Sequence, residues 1–166
     1  MLQQVEEVQD AENFYLICHR IAEWFTSTQF NRNLNITGSV GIGKSTLLKA
    51  VMDYLNTTEL SHRKAVVTAN NMASIALNSE PSWELITSIP ILLIDDIGTE
   101  PYDVKLYGNI HLPFTELLEH RYNHNLVTVI TTNLSTDDIN ARYGIRIADR
   151  INEFYTINYN RQSYRS

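Results

Sequence analysis

Apolar positions along this chain alternate between two spacings, and the alternation outlines a fold. Residues 14, 17, 18, 21, 22 and 25 recur at helical spacing, which predicts a helix over Phe14–Phe25. Leu34–Thr37 predicts a short strand, and Thr46–Leu55 a helix carrying Leu47, Leu48, Val51 and Leu55 on one face. Ala65–Ala69 predicts a second strand, and residues 70–88 one or two short helices punctuated by Pro81. ILLID at Ile91–Asp95 is an unbroken apolar run, as expected of a strand covered on both faces, and LVTVIT at Leu126–Thr131 is the next. Between them Pro113–Asn123 predicts a helix with Phe114, Leu117, Leu118 and Tyr122 on its apolar side. Gly108 and Pro113 interrupt Tyr102–Pro113, which reads as an irregular approach to that helix rather than as a DNA-facing loop. Ser135 to Asp138 has the form of a capping box opening a helix that Gly144 ends. A short helix over Arg146–Asn152 and a strand over Phe154–Asn158 complete the pattern. Five strand–helix alternations predict a three-layer α/β/α domain around a five-stranded parallel sheet with right-handed crossovers. Ligands in such sheets bind at the carboxyl ends of the strands.

Composition narrows the class. A length of 166 residues suits one domain with a core that needs no staples, here residues 31–166 behind a helical extension over 1–30 that packs on it. The acidic, polar start resembles no signal or transit peptide, and no apolar run is long enough to span a membrane. The single cysteine, Cys18, excludes an internal disulfide and fits a cytoplasmic location, and its neighbours Phe14, Ile17 and Ile21 suggest core packing. A net charge of −6 argues against a protein coated in basic surface for nucleic acid. The charge is uneven, however. From Arg142 onward five arginines face Asp149 and Glu153, a local balance of +3 that leaves −9 upstream.

Gly38–Thr46 reads GSVGIGKST and follows the first predicted strand directly, which is the P-loop pattern in its proper place. The stretch comprises Gly38, Ser39, Val40, Gly41, Ile42, Gly43, Lys44, Ser45 and Thr46. Its glycines allow backbone N–H groups to wrap phosphates at the positive end of a helix. Lys44 is expected to reach the β- and γ-phosphates of ATP, and the Ser45 hydroxyl to ligate Mg²⁺. Asp95 and Asp96 end the ILLID strand, where one carboxylate suits Mg²⁺ and the other the attacking water; Asp95 takes the first role and Asp96 the second. Glu100 could share the work of the base, although a loop acid is more often simply exposed. Asn133, after the LVTVIT strand, is placed to bond both water and γ-phosphate. His120 and His124 are four apart without the carboxylate of HExxH, so they read as exposed polar residues.

The P-loop, LLIDDIGTE (Leu92–Glu100), ITTNLS (Ile130–Ser135), YGIRIADR (Tyr143–Arg150) and the closing SYRS together resemble the AAA+ domain of the DnaC/DnaI helicase loaders. The resemblance runs from about Asn31 to the end of the chain. It implies a P-loop NTPase of the AAA+ class without a C-terminal lid, in keeping with the eight residues after Asn158. It also implies ATPase activity in DNA replication, self-assembly, and a replicative helicase and single-stranded DNA as partners. Arg150 is then the finger inserted into the neighbouring subunit's site, with Arg146, four residues before it on the same face, as alternate or support. An ion pair of Arg150 with Asp149 or Glu153 is the competing reading. Tyr155, Tyr159 and Tyr164 beside Arg161 and Arg165 suit either base stacking or packing at a sheet edge.

Three other functions share much of this pattern. An IstB-like transposition helper has the same core. A small P-loop kinase would need an arginine-rich lid and an acceptor pocket, and the Asp-Asp pair with Asn133 suits water better. An ATP-binding module that hardly hydrolyses also fits, because Asp96 reaches less far than a glutamate and slow turnover suits a timer-like switch.

Overall fold

The computed structural model describes residues 15–26, 33–57, 63–106 and 108–159. Phe14 and the tail residues Arg161, Tyr164 and Arg165 lie outside them.

A helix over residues 15–26 (α1) precedes β1 (Leu34–Thr37), α2 (Lys44–Asn56) and β2 (Lys64–Thr68). Then come α3 (Ala69–Asn78), α4 (Glu80–Ser88), β3 (Ile91–Ile97), β4 (Val104–Leu106) and β5 (Asn109–His111). The chain continues through α5 (Pro113–Asn123), β6 (Val127–Thr132), α6 (Thr136–Tyr143), α7 (Ile145–Asn152) and β7 (Tyr155–Asn158). Strands β2-β3-β6-β1-β7 form one sheet in that order, and every pairing in it is parallel. The two expected helices over 70–88 are α3 and α4, and Pro81 stands in the first turn of α4, where its missing N–H costs nothing. The Ser135–Asp138 capping box is formed in both directions.

The sheet divides the core, and the alternation of side chains explains why β3 is apolar throughout. Ile91 and Leu93 face Leu34, Ile36, Leu47, Leu48, Val51 and Val129 on the side of α1 and α2. Leu92 and Ile94 face Phe114, Leu117, Ile130, Ile147 and Ile151 on the side of α3 to α7. Each fully buried aliphatic side chain contributes about 1.5–3 kcal/mol. On α1, Ile17 and Trp24 turn into this core, while Arg20 donates to the Thr156 carbonyl oxygen and lies over the Tyr155 ring.

Two expectations are corrected. Cys18 is exposed, not packed in the core. The bulk of Trp24 sets which side of α1 faces inward, and that rotation leaves Cys18 on the rim of an apolar groove of about 240 Å³ between α1 and α2. Residues 102–113 are not an irregular approach to a helix. They contain an antiparallel hairpin in which Val104 pairs with His111 and Leu106 with Asn109, and Gly108 supplies the positive φ of its turn.

Candidate functional site

The carboxyl ends of β1, β3 and β6, adjacent in the sheet, carry the polar residues the sequence singles out. After β1 the chain turns through Gly38, Gly41 and Gly43, all at positive φ, before α2 begins at Lys44. Gly43 caps α2 in the left-handed conformation without any side-chain bond, so the first amides of that helix are free to meet an anion. Gly38 is required for a second reason. A β-carbon there would lie 2.1 Å from the Tyr159 carbonyl oxygen, because β7 runs on beneath the loop and Tyr159 N–H donates to Thr37 O at 2.7 Å. Tyr159 is buried with its ring against Gly43, which resolves its role in favour of packing.

Lys44 is buried, and its Nζ donates to the carbonyls of Gly38 and Ser39 at 2.8 Å each. Burial lowers its pKa from the usual lysine value, and the nearby Asp96 and Asp95 carboxylates oppose that effect. A cation thus sits inside the loop, facing two acids. Ser45 and Asp95 line one groove of about 290 Å³ together with Lys49, Thr68 and Asn71. A hydroxyl and a carboxylate converging there fit Mg²⁺ held largely through its own water. Among the described residues no group of three or more His, Cys, Asp and Glu is arranged for a metal. His120 and His124 stack on each other, exposed, as expected.

A bulge holds the two acids. The pairing of β3 with β6 shifts register between Ile94 and Ile97, so Asp95 and Asp96 both meet Thr131. The Thr131 hydroxyl donates to Asp95 Oδ1 at 2.5 Å and accepts from Asp96 N–H at 2.8 Å. Asp96 adopts φ 66°, a left-handed conformation rare outside glycine, and its side chain is exposed. Sequence reasoning missed Thr131, whose only signal is its place beside Asn133. Thr131→Val keeps the shape but strands the Asp96 amide, so stability should fall by about 1–3 kcal/mol. Urea unfolding measures this, and an unchanged midpoint would show that the bulge does not depend on the hydroxyl. Asn133 itself is exposed in the loop after β6.

Glu100 differs from expectation. It is 3% exposed, and its carboxylate accepts from Gly98 N–H at 2.8 Å and from the Tyr143 hydroxyl. Arg142 donates to its carbonyl oxygen. Burial first, and then the bond to Glu100, raises the Tyr143 phenol well above its ordinary pKa. A carboxylate so enclosed is not a base for water.

Arg146 and Arg150 do share a face of α7. Both pair with the Glu119 Oε1 of α5, at 3.2 and 3.4 Å, a partner the sequence did not suggest. Arg146 is 70% exposed, whereas only 10% of the Arg150 side chain is, and its guanidinium lies 4.6 Å from the centre of the Tyr122 ring. Arg121, unremarked in the sequence, is wholly buried and donates to Thr128 Oγ1 and to the carbonyls of Ile86, Thr87, Ile89 and Val127.

The sequence matches no family model and no curated protein. Solved structures do match in shape. A DnaC helicase loader superposes with a TM-score of 0.67 at 17% identity, covering 89% of each chain. DnaI gives 0.63 at 22% identity over 88% of this chain and 80% of its own. AMPPCP-bound DnaA from Aquifex aeolicus gives 0.65 at 16% identity, and there this chain spans only 43% of the larger protein. The chain therefore has the P-loop AAA+ fold, an α/β domain on a five-stranded parallel sheet with no helical lid among the described residues.

Proposed function

We propose that this chain binds ATP with Mg²⁺ and hydrolyses it slowly, as an assembly switch in DNA replication of the helicase-loader kind. One observation carries the reading: a lysine-bearing glycine loop, a paired-acid bulge and a strand-end asparagine lie on neighbouring strands β1, β3 and β6. Residues 38–46 wrap the phosphates through their amides, and Lys44 exchanges its two loop carbonyls for phosphate oxygens. Ser45 and Asp95 would hold Mg²⁺, which would supply positive charge against the phosphates. Asp96 orients and deprotonates the attacking water, and Asn133 bonds that water and the γ-phosphate.

Arg150 acts on the site of a neighbouring copy, supported by Arg146. Arg146 and Arg150 converge on Glu119, and the exposed Arg146 brings positive charge to the surface at that face of α7. Residues 1–30 form an extension to the ATPase domain of 31–166, and the described part of it, 15–26, packs on the core. Single-stranded DNA and a replicative helicase are the partners this reading proposes, and the cytoplasm the location. No described helix is long and apolar enough to cross a membrane.

Phosphate release measured with and without single-stranded DNA tests the proposal. Arg150→Ala should leave the ATP affinity of the isolated subunit within about twofold while DNA-stimulated hydrolysis falls at least about 100-fold. Collapse of monomer binding would make Arg150 a residue of its own site. Transfer of phosphate to a small acceptor would instead identify a kinase.

A further inference from the structure

Glu100 joins two parts of the molecule that the proposed chemistry uses separately. On one side lies the turn that carries Asp96. The Asp96 carbonyl accepts from the amide of Thr99 at 3.3 Å and from its hydroxyl at 2.8 Å, and Gly98 follows at φ 106°. A β-carbon at Gly98 would meet the Leu134 side chain at 2.8 Å, so the turn is also pressed against the segment that follows Asn133. The Glu100 carboxylate closes this turn by taking the Gly98 amide.

On the other side lies the corner between α6 and α7. Tyr143 and Arg142, the last residues before that corner, both donate to Glu100, one to its carboxylate and one to its carbonyl. Tyr143 is held in turn against Phe114, with ring centres 4.8 Å apart. Gly144 alone then separates α6 from α7, and the amide of Ala148 bonds back to its carbonyl. A shift of Tyr143 is thus passed to the start of the helix that bears Arg146 and Arg150.

We propose that Glu100 is a positioning residue that couples the Asp96 turn to the arginine helix, so that the cis and trans halves of the nucleotide site move together. This rests on the hydrolytic reading above for its consequence, but not for its geometry. The carboxylate has two oxygens and two donors, Gly98 N–H on one and the Tyr143 hydroxyl on the other. Leucine fills much of the same space, offers no acceptor and releases both sides. Phenylalanine at 143 removes the same link from the far end and leaves the ring packing in place.

The test compares Glu100→Leu, Tyr143→Phe and the double variant of the full chain by hydrogen exchange and by steady-state hydrolysis. Each single variant should speed exchange both at residues 97–100 and at residues 145–152. Each should lower kcat about tenfold with KM for ATP within about twofold, because the groups remain present but misplaced. The double variant should be no worse than the weaker single one, since both cut one link. Faster exchange confined to residues 97–100, or kcat effects that multiply, would overturn the coupling. Faster exchange in both segments of a chain that hydrolyses no ATP would support the coupling and refute the hydrolytic reading.

Discussion

Alanine at position 121 should destabilise the domain by about 3–5 kcal/mol, a large part of the roughly 5–15 kcal/mol available to a fold of this kind. Arg121 reaches from α5 to gather four backbone carbonyls, three at the end of α4 and just past it and one in β6, along with the Thr128 hydroxyl. The carbonyls at a helix end have no partner within their own helix. Truncation leaves several of them buried without a donor, each costing about 1–3 kcal/mol, and adds the cavity of a long side chain. Methionine would refill the space without supplying donors and should recover only the cavity part. Burial lowers the pKa of the guanidinium to about 10, so folded and unfolded chains both hold the proton at ordinary pH. Because the folded value is the lower one, this group adds pH dependence only above about pH 10, where stability gains from it as pH rises. Urea unfolding followed by circular dichroism checks the prediction. A loss below about 1 kcal/mol would mean that water enters and serves the carbonyls instead.

Lys44→Ala should abolish nucleotide hydrolysis, by at least about 100-fold, and leave the melting temperature of the free chain nearly unchanged. The two outcomes have one cause. The ammonium is desolvated in the free loop, and its bonds to Gly38 and Ser39 offset that burial without a large surplus. Phosphate oxygens are stronger partners for the same three donors, so the benefit of the lysine appears only when nucleotide binds. Calorimetric titration with ATP, beside a thermal melt, separates the two quantities. Unchanged ATP affinity would place the phosphate site elsewhere, and a collapsed melting temperature would make Lys44 a structural brace.

What the sequence disclosed and what it hid follow from how far each feature reaches along the chain. The strands, the capping box and the glycine loop are local, set by neighbours within a turn or two, and all lie within a residue or two of where the periodicity puts them. The hairpin over 104–111 was marked locally by Gly108 alone, since Val104 and Leu106 lie opposite the polar His111 and Asn109, and three-residue strands are shorter than the pattern usually needs. Glu100 and Arg121 could not be read in this way. A charged residue in a loop or a last helical turn looks solvated until its partners arrive, and these come from α6 in one case and from α4 and β6 in the other. Cys18 failed for the converse reason. An apolar stripe on α1 shows that one side is covered, but only docking against the sheet decides which part of the stripe stays outside. In the site, the residue types were legible and the shared hydroxyl of Thr131 was not, since a threonine in a buried strand is ordinary.

The contact between Gly38 and the end of β7 bears on how portable such a loop is. Nine residues of glycine-rich sequence look like a self-contained cassette that could be grafted onto any strand–helix junction. Here the last strand supplies the floor of that cassette, with the Tyr159 carbonyl occupying the space a side chain at residue 38 would need. The shape of the loop in this protein therefore depends on the edge strand β7, and a transplant carrying the loop without its floor would keep the signature and lose the shape.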